Sequence, residues 1–275
     1  MKSKVQSPKS EVDELFSDIG LWTLDFGLMV VCLNRAEKRN ALTRGMLERL
    51  GEVFAGVGER REVRAVVLTG AGREAFCAGT DIGELASLDV AEARAAARRG
   101  QEVCDAIESC GVPVIVAVNG LAAGGGCELA LACHLRVAVA GARFTLPEAK
   151  LGVLPAYGGT QRLARAVGAG RALAAMIAGD GLTAEEAHRL GLVNRIVEGD
   201  DELLPAAESL AHEIAQHAPL AVRACLAAVT RGTRLSLEDG LALEAELFSQ
   251  LFATADMREG TRAFLEKRAP VFKGQ

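Results

Sequence analysis

The sequence predicts an α/β protein whose last quarter is a helical layer, and two observations carry that prediction. Short β-rich runs such as VRAVVLTG and PVIVAVNG alternate with longer segments of helical period, the pattern of a mostly parallel sheet covered by helices. Beyond about Asp200 the strand signal disappears and only helical segments remain. With 275 residues, 50% hydrophobic and 24% charged, the chain has material for one large domain or for one domain plus an appendage.

The elements follow in order. LWTLDFG and LMVVCLNR read as a hairpin turning at Phe26-Gly27. Thr43 is the expected N-cap of the helix MLERLGEVFAGVGE, whose Met46, Leu47, Leu50, Val53 and Phe54 recur at helical spacing. VRAVVLTG is a strand buried on both faces, and GAGREAFCAGTDIGEL after it is a turn and loop. Asp89 to Cys110, rich in Ala, Arg and Glu, reads as a helix; PVIVAVNG follows as a second buried strand, GCELALAC as a helix opening at a glycine run, and HLRVAVAG as a further strand. Four helical segments, from LLPAAESLAHEIAQ to ADMREGTRAFLEKR, complete the chain. The expected organisation is an N-terminal extension at 1–20 that could be mobile, an α/β core at 21–200 and a helical domain at 201–275.

Composition excludes several function classes. A net charge of −5 offers no general attraction to nucleic acid or an anionic membrane, and 4% aromatic residues leave few rings for stacking bases. Seven cysteines, an odd number without a CxxC pair, sit mostly in apolar runs, so reduced thiols and no metal site are expected. The first twenty residues lack the apolar stretch of a secretory signal, and the apolar region 112–142 is interrupted by Asn119, Glu128, His134 and Arg136. A soluble, cytoplasmic protein is the expectation.

Gly120 to His134, GLAAGGGCELALACH, contains one acid among glycines and apolar residues. Removing a carboxylate from water is expensive, so Glu128 needs a reason to be there. One reason is an anion hole: the first turn of a helix exposes unpaired N–H groups, and glycines let an anionic oxygen approach them. Gly125 and Glu128, three apart, share a helix face. The alternative is that the glycines allow close packing while Glu128 pairs with an arginine such as Arg136 or Arg162. FCAGTDIGEL brings small residues, Ala78 and Gly79, that would let the Thr80 N–H point into a cleft at a strand end; its bland reading is a tight connection with Asp81 capping the next helix. LPEAKLGVLPAYGGTQRL adds a second acid, Glu148, which by itself could be loop surface.

AEKRNALT, FCAGTDIGEL, NGLAAGGGCELALAC, FTLPEAKLGVLPAYGGTQRL, AHRLGLVNRIV and FLEKRAPVFKG, in this order, resemble the enoyl-CoA hydratase/isomerase family, or crotonase superfamily, from about Leu21 to the C-terminus. The resemblance implies a crotonase-like spiral of ββα units with a C-terminal helical layer that builds trimers, frequently paired as hexamers. It implies an acyl-CoA thioester as partner and no cofactor beyond the coenzyme A of the substrate. The thioester oxygen would be held by the N–H groups of Thr80 and Gly125, and Glu128 and Glu148 would be the catalytic acids. Coenzyme A contacts would come from Lys38, Arg39 and Ala41, from Ala78, Asp81, Ile82 and Gly83, and from Phe264 and Lys267, often of a neighbouring subunit.

The chemistry fits those roles. Adding water to a 2-enoyl thioester develops negative charge on the carbonyl oxygen, which two aligned N–H donors stabilise selectively. Water loses a proton while the α-carbon gains one, a task for two carboxyl groups. Shifting a double bond needs only one, so the pair favours hydration in fatty acid or branched-chain acyl-CoA metabolism, with Glu148 as proton donor and Glu128 activating water. Alternatives are a methylglutaconyl-CoA hydratase, an enoyl-CoA delta isomerase and, in a different class, a non-catalytic RNA-binding homologue. Four positions depart from the family pattern: His134 replaces a common acid, Ala156 and Tyr157 replace small residues, and Gly83 stands where some hydratases have lysine. A dinucleotide fingerprint at TGAGREAF lacks its third glycine, and no GxSxG elbow occurs.

Overall fold

The computed structural model describes residues 14–16, 18–179 and 181–275. Most of the N-terminal extension, with the mobility expected of it, lies outside the described residues. Strands β1 (Glu14–Phe16), β2 (Ile19–Leu24) and β3 (Leu28–Leu33) form the antiparallel start of a large sheet. Phe26 and Gly27 turn the chain between β2 and β3 at φ 64° and 74°, as the hairpin reading expects. Helix α1 (Arg44–Val57) follows, with the Thr43 hydroxyl accepting from Met46 N–H. Its Met46, Leu47, Leu50, Phe54 and Val57 are buried, and truncating Phe54 to Ala would cost about 3–5 kcal/mol.

From here the chain repeats one unit, a strand for the large sheet, a short strand for a second sheet, then helix. The first unit is β4 (Ala65–Gly70), β5 (Ala75–Cys77), α2 (Ile82–Leu85) and α3 (Val90–Ser109). The second is β6 (Val114–Val118), β7 (Leu121–Ala123) and α4 (Gly125–Ala132). The third is β8 (Leu135–Val139), β9 (Arg143–Thr145), a 3-10 turn at Glu148–Leu151, α5 (Gly159–Val167) and α6 (Ala169–Leu173). Strand β10 (Leu182–Thr183), α7 (Ala184–Arg189) and β11 (Arg195–Val197) close the spiral. The large sheet runs β1-β2-β3-β4-β6-β8-β11 and the small one β10-β9-β7-β5. This is the spiral of ββα units that the resemblance implies. The short strands of the small sheet escape a sequence reading, because two or three residues cannot display a period of two.

Strands β4 and β6 are buried along their whole length and pair in parallel, Val66 with Val114 and Leu68 with Val116. Both strands are sealed on either face, hence their unbroken apolar runs. Helix α8 (Asp200–Ala215) lies on the large sheet against β3, β4, β6, β8 and β11, burying Leu203, Ala207 and Ala211, a stripe at four-residue spacing. Helices α9 (Pro219–Gly232) and α10 (Leu237–Leu251) pack on each other and bury no residue of their own in the single chain. Arg223 of α9 donates to Gly58 O and Gly111 O, tying this layer to the core. Helix α11 (Ala255–Leu265) is clasped by the following segment: the buried Asp256 carboxylate accepts from Lys273 and Gly274 N–H. Among the described residues no helix is long and apolar enough to cross a membrane.

Candidate active site

Two loops and one glycine run meet at the ends of β3, β5 and β7. The segment between β3 and α1 holds Lys38, Arg39 and Ala41, and Arg39 and Asn40 adopt left-handed φ of 50° and 56°. Asn40, fully buried, donates to Ala71 O and Ala75 O and so fixes this turn to β5. Ala78 N–H donates to Arg39 O. Leu42 donates to Gly79 O at 2.8 Å and accepts from Asp81 N at 2.9 Å, a parallel bridge opposite Thr80. In such a bridge the residue between the two bonds turns its own N–H to the other side of the strand. Thr80 N–H therefore faces away from Leu42.

What lies against this loop is the start of α4. A Cβ on Gly79, at φ 99°, would come within 3.4 Å of Gly125 N and 3.5 Å of Gly124 Cα, so the bare glycine is what allows the two segments to touch. Gly125 is the first residue of α4, and the first bond of the helix runs from Glu128 N to Gly124 O. The Gly125 N–H thus belongs to the unpaired first turn, where the helix dipole adds positive potential.

Glu128, three residues on, is only 2% exposed. Its Oε1 accepts from Tyr157 N–H at 2.8 Å and Gly159 N–H at 2.6 Å. Neither arginine considered as its partner is bonded to it: Arg136 donates to carbonyls of Ala130, Cys133 and Leu192, and Arg162 to Asp105, Glu108 and Tyr157 O. Burial pushes the Glu128 carboxyl up to about 7, and the nearby Glu148 adds to the shift, while the Gly159 and Tyr157 amides and Arg162 oppose it. Glu148, at the start of the 3-10 turn, lies with Oε1 2.9 Å from the Cβ position of Gly124. Its Oε2 is buried and has no hydrogen-bond partner among the described residues. Burial raises its pKa as well. The half-buried Glu148, the Gly79-Thr80 loop and the open first turn of α4 thus lie together at Gly124-Gly125, with the buried Glu128 one turn further along the same helix.

The remaining expected residues divide. Asp81 accepts from Gly83 N–H, capping α2, and pairs with Arg35 at 3.4 Å, while Ile82 and Gly83 face solvent. Arg39 is exposed and pairs with Glu74 at 3.2 Å. Phe264 and Lys267, at the end of α11, are also exposed, and no hydrogen bond or ion pair among the described residues joins them to the two loops. Among the departures, His134 is half a structural bracket: Nδ1 accepts from Val114 N–H at 2.9 Å, with Nε2 3.1 Å from Glu108 O. The amides of Tyr157 and Gly159 escaped the sequence reading as partners of Glu128. The only signal was the pair Gly158-Gly159 itself: Gly158 needs φ 107°, and a Cβ on Gly159 would fall 2.8 Å from Glu128 Cγ.

A sequence model of the enoyl-CoA hydratase/isomerase family matches residues 24–275. A short-chain-enoyl-CoA hydratase of Clostridium acetobutylicum is 42% identical over 239 residues, 87% of this chain and 91% of the relative. A crotonyl-CoA hydratase of Syntrophomonas wolfei is 42% identical over 245 residues, 89% of this chain and 94% of the relative. The crystal structure of an enoyl-CoA hydratase from Bacillus anthracis superposes with a TM-score of 0.90 at 37% identity, covering 94% of this chain and all of that one.

Proposed function

The chain belongs to the enoyl-CoA hydratase/isomerase family, and we propose that it is an enoyl-CoA hydratase, adding water across the 2,3 double bond of a short enoyl thioester of coenzyme A. The observation that carries this reading is that Glu148 lies against Gly124 of the glycine run that leads into Glu128, near enough for each carboxylate to feel the other, since moving a double bond needs one acid and hydration uses two. The names of the relatives from Clostridium and Syntrophomonas support a short acyl chain.

In this reading the thioester oxygen accepts from Thr80 N–H and Gly125 N–H, and each donor lowers the barrier by about 2.7–4 kcal/mol as enolate charge develops. A water sits between the two carboxyl groups. Glu128 keeps Oε1 on the two amides and takes the proton of water with its other oxygen; a pKa near 7 suits a group that gains and loses a proton in each turnover. The hydroxide bonds to the β-carbon, and Glu148, whose carboxyl burial shifts toward the protonated form, delivers a proton to the α-carbon. Lys38, Arg39, Ala41, Ala78, Asp81, Ile82 and Gly83 would border the coenzyme A, completed by Phe264 and Lys267 of a neighbouring subunit. No metal and no cofactor beyond that coenzyme A are needed.

A trimer, alone or paired into a hexamer, is supported by the apolar side chains that α10 and α11 leave open, Leu237 at 80%, Phe248 at 61% and Phe264 at 84% exposure. Free thiols at all seven cysteines support the cytoplasm as compartment, in fatty acid or branched-chain acyl-CoA metabolism. Crotonyl-CoA turnover, followed by loss of conjugated ultraviolet absorbance with a mass gain of one water, tests the reaction. Glu128→Gln and Glu148→Gln should each lower kcat by at least about a hundredfold; wild-type rates in both would remove the assignment.

A further inference from the structure

We propose that Tyr157 sets the length of acyl chain this enzyme accepts, acting as a fixed partition between the reaction centre and an adjoining pocket with an apolar side. The proposal rests on the hydratase reading above and adds the residue that limits its substrate. Tyr157 is 5% exposed and its ring fills a slot made by two glycines. A Cβ on Gly100 of α3 would fall 1.9 Å from Tyr157 Cδ1, and one on Gly125 of α4 would fall 2.9 Å from Cε2. At its far end the phenolic oxygen shares a 2.9 Å hydrogen bond with the Thr80 hydroxyl. At its near end the backbone N–H holds Glu128. A ring so held on two faces and at both ends cannot swing aside as an exposed rotamer would.

Behind the ring is a cavity of about 280 Å³ between α1, α2 and α3. Leu47, Leu85, Leu88 and Ala95 give it an apolar side, Leu42, Thr80 and Tyr157 form its inner wall, and the exposed Arg44, Glu84 and Glu92 border it toward solvent together with Arg99. That wall is also the wall of the reaction centre: Leu42 Cδ1 lies 3.4 Å from the Cβ position of Gly125, and Thr80 and Gly125 carry the two N–H donors. An acyl chain whose carbonyl oxygen rests on those donors must pass beside the Tyr157 ring. A short tail ends in front of it, and a longer one needs the volume that the ring occupies before it can reach the apolar space behind.

The test is a series of trans-2-enoyl-CoA substrates from four to ten carbons, measured with wild type, Tyr157→Phe, Tyr157→Ala and Gly100→Ala. Dissociation constants of the matching saturated acyl-CoAs are measured alongside. Wild type should fall steadily in kcat/KM with length. Tyr157→Ala should raise the ten-carbon to four-carbon ratio at least about tenfold, with affinity for saturated chains gaining about fourfold for each methylene newly buried. Tyr157→Phe, which keeps the ring, should keep the length profile; Gly100→Ala, whose methyl expels the ring, should change it. A folded Tyr157→Ala with the wild-type length profile overturns the proposal, as does a wild type that turns over ten carbons as well as four. Should Tyr157→Ala not fold, Tyr157→Leu decides by the same criteria. Saturated chains bind without being hydrated, so a protein that hydrates nothing refutes the reaction while the binding profile still judges Tyr157.

Discussion

The Gly159 amide donates to Glu128 Oε1 across 2.6 Å, and the space a methyl on Gly159 would need is already filled by Glu128 Cγ, 2.8 Å from that position. Backbone and carboxylate thus fix each other. Gly159 has an ordinary helical backbone, so alanine can be accommodated by the main chain but only by moving the acid. Gly159→Ala should lower kcat about 10- to 100-fold while KM for crotonyl-CoA stays within about threefold, since displacement of a reacting group by an ångström costs rate more than binding. Steady-state kinetics check this, and an unchanged kcat would show that the contact does not position Glu128.

Burial of Glu128 should be visible as a pH-dependent cost. Its folded pKa of about 7 lies above the ordinary value of 4.5, so the native state binds the proton more tightly than the unfolded one. Stability associated with this proton is full below about pH 4.5 and is lost as pH rises through 7. Glu128→Gln, which can still accept both amides, should therefore be more stable than wild type at pH 8, by about 3 kcal/mol, and match it near pH 4.5. Thermal melts across that range decide; equal pH slopes would mean that the acid is not destabilised by burial.

His134 predicts the opposite slope. In the tautomer assigned from its bonds, Nδ1 accepts from the buried Val114 N–H and Nε2–H donates to Glu108 O, and burial lowers the imidazole pKa. A lowered histidine contributes stability above its unfolded pKa of about 6.5, and that contribution is lost as pH falls. His134→Asn keeps an acceptor without titrating, so the fall in Tm between pH 7 and pH 5 should shrink. His134→Ala should cost about 1–3 kcal/mol at pH 7 by leaving Val114 N–H unpaired. An alanine variant as stable as wild type would deny the bracket any weight.

The open apolar face of α10 predicts assembly. Phe248 and Phe252 stack edge to face at 5.1 Å, and both are more than half exposed in the single chain. Light scattering after gel filtration should give three or six times the 28.8 kDa chain mass. Phe248→Asp should reduce it, because a buried unpaired charge at an interface is costly. A wild-type monomer would contradict the proposed use of this face.

Much of the architecture was legible along the chain. VRAVVLTG and PVIVAVNG announce strands sealed on both faces, Thr43 and Asp89 announce helix starts, and both caps are present, Asp89 with a full capping box. The small sheet was not legible, since β5, β7 and β9 span three residues each and draw their identity from one another. At the site, Glu128 stood out as a lone acid in an apolar run; the arginine pairing weighed as the alternative is absent, and the two backbone amides that hold it carry no signal in the spacing.

By itself the sequence determined the alternation of strands and helices and the order of the glycine and acid motifs, because period, caps and turns act over a few residues. Tertiary structure alone decided that Glu128 is held by amides from the start of α5 and the loop before it, and that the Tyr157 ring sits between Gly100 and Gly125. Those relations join segments that only the packing of α3, α4 and α5 brings together. A carboxylate facing oriented N–H dipoles needs no counter-charge, and a missing Cβ becomes a slot only when another element arrives to fill it.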